Sequence, residues 1–224
     1  QVKKYAARLL LSTAGEAAPR AVPLASVGFR TLCVDTTDDG FALSVNGVPV
    51  FCRGANWTPL DAAGLESDAA ACEAVLRRVR DAGLNMLRVN GAMVYESDHF
   101  HDACDRLGLL LWQDFMFANM DYPLDDAPFA EAAREEAVQQ LARWQARPSV
   151  AVLCGNSEAS QQAAMWGAPR GQWLPAWFGH ELRAVCADWC PDVPYWPSSA
   201  HGGAFPHRND AGTTSYYGVG AYLR

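Results

Sequence analysis

The connections between alternating strand-like and helix-like segments are unequal in length, and this inequality limits the fold more than any single motif. From about residue 50 the strand-like runs are "VFCRGANW", "NMLRVN", "LLLWQDF", "SVAVLCGN" and "VPYWPSS". Between them lie helix-like segments: "SDAAACEAVLRRVRDAG", "SDHFHDACDRLG", a stretch with Pro128 in its first turn running to about Gln145, and one around residues 178–189. Ser67 and Ser97 read as N-caps, and Gly83 and Gly108 as helix stops. Such alternation predicts parallel βαβ units. Helix-to-strand links are short: Gly83-Leu84, Gly108 and residues 146–149. Strand-to-helix links, at 54–66, 90–96, 115–126 and 156–175, are long and rich in Trp, Asn, Asp and Tyr. Parallel strands collect every long loop at one end, which is the functional end of a (β/α)8 TIM barrel. A doubly wound nucleotide fold would show a short glycine-rich first turn, and none occurs. The pattern therefore favours an α/β barrel. Five or six strands fit where a closed barrel needs eight, so the barrel is expected to be incomplete within this chain.

Residues 1–50 have a different texture. "KYAARLLLS" and "ASVGFRTLCVD" are strand-like, and "FALSVNGVPVF" reads as a hairpin around Asn46-Gly47, a pair that tolerates the positive φ of a tight turn. These strands are too few for a closed sandwich and read as the tail of a β domain. The division falls near residue 45: β strands over 1–45, the α/β unit over 46–224. Lys3, Lys4 and several small residues imitate a signal peptide, but Arg8 interrupts the apolar run and no Met starts it. The opening reads as a chain entered in mid-strand.

The formal net charge is −7, with no Lys/Arg run longer than two, so neither nucleic acid nor an anionic membrane is an expected partner. No apolar stretch approaches the ~18–20 residues of a membrane-spanning helix. Cys33, Cys52, Cys72, Cys104 and Cys154 all sit in apolar segments, as reduced core cysteines do, which favours the cytoplasm over secretion. Cys186 and Cys190, with His99 and His101, suggest zinc only faintly, since there is no CxxC pair and the histidines are scattered. No metal and no cofactor is expected. The phosphate-loop, dinucleotide and nucleophile-elbow motifs do not occur.

Each strand delivers polar groups at its C-terminal end: Arg53 and Asn56-Trp57; Arg88 and Asn90; Trp112, Gln113 and Asp114; Asn156, Ser157 and Glu158; Trp196, Ser198 and Ser199. Converging indoles, amides, an arginine and carboxylates suit a carbohydrate pocket, where indole faces stack on sugar C–H surfaces and polar groups bond hydroxyls. Glu158 follows the apolar run "VAVLC". A carboxyl there is partly dehydrated, which favours the protonated form that a donor to a glycosidic oxygen requires. The same residues also carry structural readings: Arg88 as a buried partner of Asp114, Trp112 as core, Asp114 as an acceptor for loop amides, Trp57 as packing for a loop. Glu96 reads as a helix-start carboxylate and is left out of the site.

"VPVFCRGANWTPLDA", "NMLRVNGAMVYESDHFHDACDRLGLLLWQDFMFAN", "ARPSVAVLCGNSE" and "PYWPSS" resemble glycoside hydrolase family 2, in particular its β-mannosidase branch, from about residue 25 to the end. The resemblance implies a multidomain retaining exo-β-glycosidase without cofactor. Residues 1–45 would be the closing strands of an immunoglobulin-like sandwich, and the rest would begin the catalytic barrel. It also implies that Glu158 is the acid/base, that Trp166 walls the sugar subsite, and that Arg88 lies near the nucleophile. No segment matching the nucleophile follows "TTSYYGVGAYLR", so by resemblance the nucleophile lies outside this chain. Two departures bear on the sugar. Ser157 stands where the family has an Asn that binds the 2-hydroxyl, and Arg88-Val89-Asn90-Gly91-Ala92-Met93 replaces a typical R-V-W-G-G-G. The implied partner is a glycoside or oligosaccharide. Rival readings are another β-glycosidase of the family (galactosidase, glucuronidase or exo-glucosaminidase) and a non-catalytic sugar-binding piece. The open edges of an incomplete barrel predict self-association unless the chain continues.

Overall fold

A computed structural model of the chain describes residues 3–15 and 18–214. Positions 1, 2 and most of "TTSYYGVGAYLR" therefore lie outside the described residues. Five parallel strands form the central sheet: β6 (Gly54–Trp57), β7 (Met86–Val89), β8 (Leu110–Asp114), β9 (Val150–Cys154) and β10 (Tyr195–Trp196). They lie side by side in sequence order, β10-β9-β8-β7-β6, with parallel pairing throughout. Ahead of them come an antiparallel ribbon, β1 (Lys4–Leu11) with β2 (Arg20–Gly28), and a small antiparallel sheet, β3 (Leu32–Asp35), β4 (Ala42–Val45) and β5 (Val48–Pro49). Asn46 and Gly47 turn the β4–β5 hairpin with φ of 52° and 76°, the two positive values a tight primed turn demands.

Helices α1 (Ala69–Asp81), α2 (Asp98–Leu107), α3 (Ala127–Trp144), α4 (Ala159–Met165) and α5 (Leu182–Trp189) fill the connections. The expected cap of α1 shifts by one residue. Asp68, not Ser67, accepts the Ala71 amide at 2.9 Å, while the Ser67 hydroxyl accepts the Leu60 amide. Gly108 ends α2 in the left-handed region. Helix α4 lies inside a segment, 156–175, that the sequence reads as a loop, because no cap residue announces it. A π-helical turn, Trp177–Glu181, leads into α5.

One face of the sheet packs on helices. Leu87, Val89, Leu111, Val150 and Leu153 meet Leu76, Phe100, Cys104, Leu141, Trp144, Leu182 and Val185 in a single buried cluster. The alternate residues point the other way, and there Met86, Trp112, Val152 and Cys154 are covered by Leu43 and Phe41 of the hairpin. Phe41 lies 5.2 Å from the Trp112 ring and 4.8 Å from that of Trp196. Lys4 of β1 reaches the buried Asp105 of α2 at 3.1 Å, tying the ribbon to the sheet. The ribbon leaves Leu10 and Leu24 exposed. Among the described residues strands β6 and β10 each have one neighbour in the sheet. Among the described residues no helix is long and apolar enough to cross a membrane. The cysteines do not all behave as expected: Cys72, Cys104, Cys154, Cys186 and Cys190 are buried, but Cys33 and Cys52 are exposed.

His101 on α2 carries a pH dependence. Its ring is buried against Phe100 and Trp144, and Nδ1 bonds the Ser97 carbonyl at 3.0 Å. Burial pushes its pKa down to about 4; the Ser97 bond opposes this, and Arg147 and Arg143 add to it, with Asp105 pulling the other way. The unfolded chain therefore binds a proton below pH ~6.5 that the folded chain refuses. Stability is present in full above that pH and falls as pH drops towards 4, by on the order of 3 kcal/mol. Denaturant titrations at pH 7.5 and 4.5 measure this loss, which His101→Gln should flatten. An unchanged pH dependence in the variant would remove His101 from the account.

Candidate active site

The C-terminal ends of the parallel strands meet at one rim. On the hairpin-facing side, Arg88 at the end of β7 and Asp114 at the end of β8 come together through strand register, since Arg88 pairs with Trp112 two residues before Asp114. Arg88 Nη2 and Nε donate to Asp114 Oδ2 at 2.8 and 3.2 Å, and the Gly91 amide donates to the same oxygen at 3.2 Å. Trp112 Nε1 donates to Oδ1 at 2.9 Å. Asp114 is fully buried. Burial pushes its carboxyl up from the ordinary range and Arg88 pulls it back. In all four of these hydrogen bonds, from Arg88, Gly91 and Trp112, the neighbour is the donor, so the ionised carboxylate is the form that satisfies the site. Burial likewise opposes the Arg88 charge, but Asp114 more than compensates and, with Glu158 acting from further off, holds the guanidinium charged.

Arg88 Nη2 also donates to Ser157 Oγ at 2.9 Å. The pair thus fixes the residue directly before Glu158. The loop after β9 is held on its other side by Asn156, whose Nδ2 donates to the Pro197 carbonyl at 3.0 Å. Its Oδ1 accepts from Ser198 Oγ at 2.7 Å and the Ala159 amide at 3.0 Å. The Ser157 and Glu158 amides donate to the Phe117 and Ser199 carbonyls, both at 2.8 Å. Gly155 and Gly91 allow this closeness. A Cβ at Gly155 would strike Tyr195 Oη and the Pro197 carbonyl, and one at Gly91 the Phe115 and Phe117 carbonyls. Glu158 itself sits in the left-handed region with φ 72°, a strained setting for a non-glycine residue of the kind that collects at functional sites. Its side chain is half-buried, and among the described residues no hydrogen bond ties its carboxyl.

The other expected site residues are spread out. Trp57 at the end of β6 turns into the core, 4.9 Å from the Phe100 ring, and its Nε1 donates to the buried Glu96 at 2.7 Å. Glu96, set aside on sequence grounds, is thus the acceptor that lets an indole N–H be buried. Asn90 is half-buried and its Oδ1 accepts the Ala92 amide at 3.0 Å, closing its own turn. Trp166, just past α4, is 85% exposed and borders a cleft with Asn119, Met120, Asp121, Gln162 and Gln172. Sequence reading missed those five. Their signal, had it been used, was the run of polar side chains in the loop after β8, with Gln162 on α4 and Gln172 beyond it.

No family model matches the chain. It is 42% identical to a β-mannosidase of Bos taurus over 127 residues, which is 57% of this chain and 14% of that protein. A β-D-mannosidase structure from Dictyoglomus thermophilum superposes with a TM-score of 0.80 at 33% identity, covering 91% of this chain and 26% of the other. An exo-chitosanase from Amycolatopsis orientalis superposes with a TM-score of 0.63 at 25% identity, over 89% of this chain and 22% of that one. The chain spans about a quarter or less of the length of these proteins.

Proposed function

The chain is a β-mannosidase-like stretch of the glycoside hydrolase family 2 type, and from that premise we propose that it forms the acid-bearing part of a retaining exo-β-glycosidase acting on terminal β-D-mannose-type residues. In this reading β6 to β10 are the first five strands of a (β/α)8 barrel. Residues 1–45 close an immunoglobulin-like sandwich, and the open edges of β6 and β10 seek further strands or a second copy. The observation that carries the proposal is the setting of Glu158, at the mouth of the parallel sheet with its backbone pinned and its carboxyl unspent.

Glu158 donates its proton to the glycosidic oxygen as that bond breaks. A second carboxylate, ~5 Å away in retaining enzymes, attacks the anomeric carbon and forms a glycosyl ester. Glu158 then takes a proton from water, the water oxygen replaces the ester, and the sugar leaves with its configuration retained. Asp114 is not the attacking group, because both its oxygens are engaged in a buried site. Asp114, Arg88 and Asn156 act as positioning residues, with Ser157 the contact through which Arg88 steadies the acid. Ser157 and Asn90 line the sugar pocket, Trp57 supports the rim from below, and Trp166 contacts the substrate at its outer edge.

The test is hydrolysis of nitrophenyl β-glycosides by the intact protein that contains this chain. The β-mannoside should be cleaved at least 10-fold better than the galactoside, glucuronide and glucosaminide. A maximum on the glucosaminide would transfer the reading to the exo-glucosaminidase type, and cleavage of none would end the glycosidase reading.

A further inference from the structure

The Ser157 amide, directly before Glu158, donates to the Phe117 carbonyl at 2.8 Å. Whatever fixes Phe117 therefore also fixes the turn that carries the acid. Residues 115–118 follow β8 without regular structure, so their amides must find partners one by one. The Phe115 amide donates to the Cys154 carbonyl at 2.8 Å, and the Phe117 amide to the Phe115 carbonyl at 2.7 Å. The other two end on phenols. The Met116 amide donates to Tyr95 Oη at 3.1 Å, and the Ala118 amide to Tyr122 Oη at 2.6 Å. Among the described residues neither amide has another acceptor. An amide sheltered from water without an acceptor is costly, so the two hydroxyls hold the backbone on either side of Phe117.

Packing holds both phenols in place. The Tyr95 ring lies 5.6 Å from that of Trp144, and the Tyr122 ring 6.4 Å from that of Phe129, both on α3. The Phe117 ring is buried, 4.9 Å from Tyr122 and 5.1 Å from Phe178. Burial pushes the Tyr95 phenol well up from its ordinary value; the Met116 bond opposes this and Glu136 on α3 adds to it, so the hydroxyl stays neutral. Three strand-end loops thus meet at one turn: Tyr95 comes from the loop after β7, residues 115–122 follow β8, and Ser157 follows β9. We propose that Tyr95 and Tyr122 are positioning residues for the acid. Their hydroxyls fix the Met116 and Ala118 amides, the Phe117 carbonyl between them meets the Ser157 amide, and the Glu158 carboxyl is kept on the departing oxygen. Both act through the backbone and not on a substrate atom. This rests on the reading of Glu158 as the acid.

The experiment reads one ratio in the intact protein: kcat/KM for methyl β-mannoside, whose departing oxygen needs a proton, over kcat/KM for dinitrophenyl β-mannoside, whose departing oxygen does not. A fold loosened evenly lowers both rates and leaves the ratio alone. Tyr95→Phe and Tyr122→Phe each remove a hydroxyl and keep the ring. Each should lower the ratio about 3-fold or more, and the double variant about 10-fold or more, a modest part of what a misplaced catalytic group can cost. Circular dichroism checks that the variants are folded; should the double variant not fold, the single variants decide. A smaller fall in the ratio in every folded variant overturns the positioning role, even where both rates drop together. Glu158→Gln is measured beside them. If it lowers the ratio and the tyrosine variants do not, the role of the tyrosines fails and the acid stands. If it leaves the ratio unchanged, the reading of the acid fails and takes this inference with it.

Discussion

Replacing Glu158 with glutamine in the intact protein should lower kcat on an oligosaccharide or alkyl glycoside about 1,000-fold, within the range that a positioned proton donor contributes. That is about 4 kcal/mol of barrier. Glutamine keeps the size of the side chain and has no carboxyl proton to give. The loss should depend on the leaving group. A dinitrophenolate departs without protonation, so the first step on that glycoside survives, whereas the second step still needs a base to activate water. The expected trace is a burst of dinitrophenol equal to the enzyme concentration, then slow turnover. Equal suppression of the burst and of the steady rate would mean that Glu158 is not the donor. The backbone of this loop is fixed by Asn156, Ser157 and the Phe117 and Ser199 carbonyls, none of which uses the Glu158 carboxyl. The substitution should therefore leave the fold intact.

The parts legible in the sequence are those that depend on local chemistry or on period. The polar groups at the strand ends, Arg88 and Asp114 among them, were legible in "NMLRVN" and "LLLWQDF", and the parallel register brings them together at one rim. The Asn46-Gly47 turn was legible because only certain residues tolerate its backbone. What escaped depends on packing between distant segments. Nothing near Trp57 reveals that its N–H will need Glu96, 39 positions away. Helix α4 was hidden because Glu158, a residue in left-handed conformation, stands where a side-chain cap would normally be read. The cleft beside Trp166 joins two loops separated by about forty residues, so no window of sequence contains it. The exposure of Cys33 and Cys52 follows from their places in β3 and just before β6, where the small sheet and the sheet edge carry little cover.

The second large effect concerns the charge pair beneath the acid. Arg88→Met should destabilise the chain by about 3–5 kcal/mol, the cost of leaving one member of a buried pair without its partner. Asp114 has no exposure and would keep only the Trp112 and Gly91 donors. With ~2–4 °C of Tm lost per kcal/mol in a chain of this size, the midpoint should fall by roughly 10 °C. The double variant Arg88→Met/Asp114→Asn removes the stranded charge as well, and should recover part of the loss. That recovery separates a pairing effect from simple loss of arginine packing, because a packing defect at residue 88 would not be repaired at residue 114. Activity should follow a different course. Ser157 loses the donor that holds it at 2.9 Å in either variant, so the turn carrying Glu158 is loosened in both. The double variant should then be more stable than Arg88→Met yet no more active. A cost below about 1 kcal/mol for Arg88→Met, in the range of a surface ion pair, would show that Asp114 is satisfied without Arg88. Recovery of activity along with stability would show that the arginine does not position the acid through Ser157.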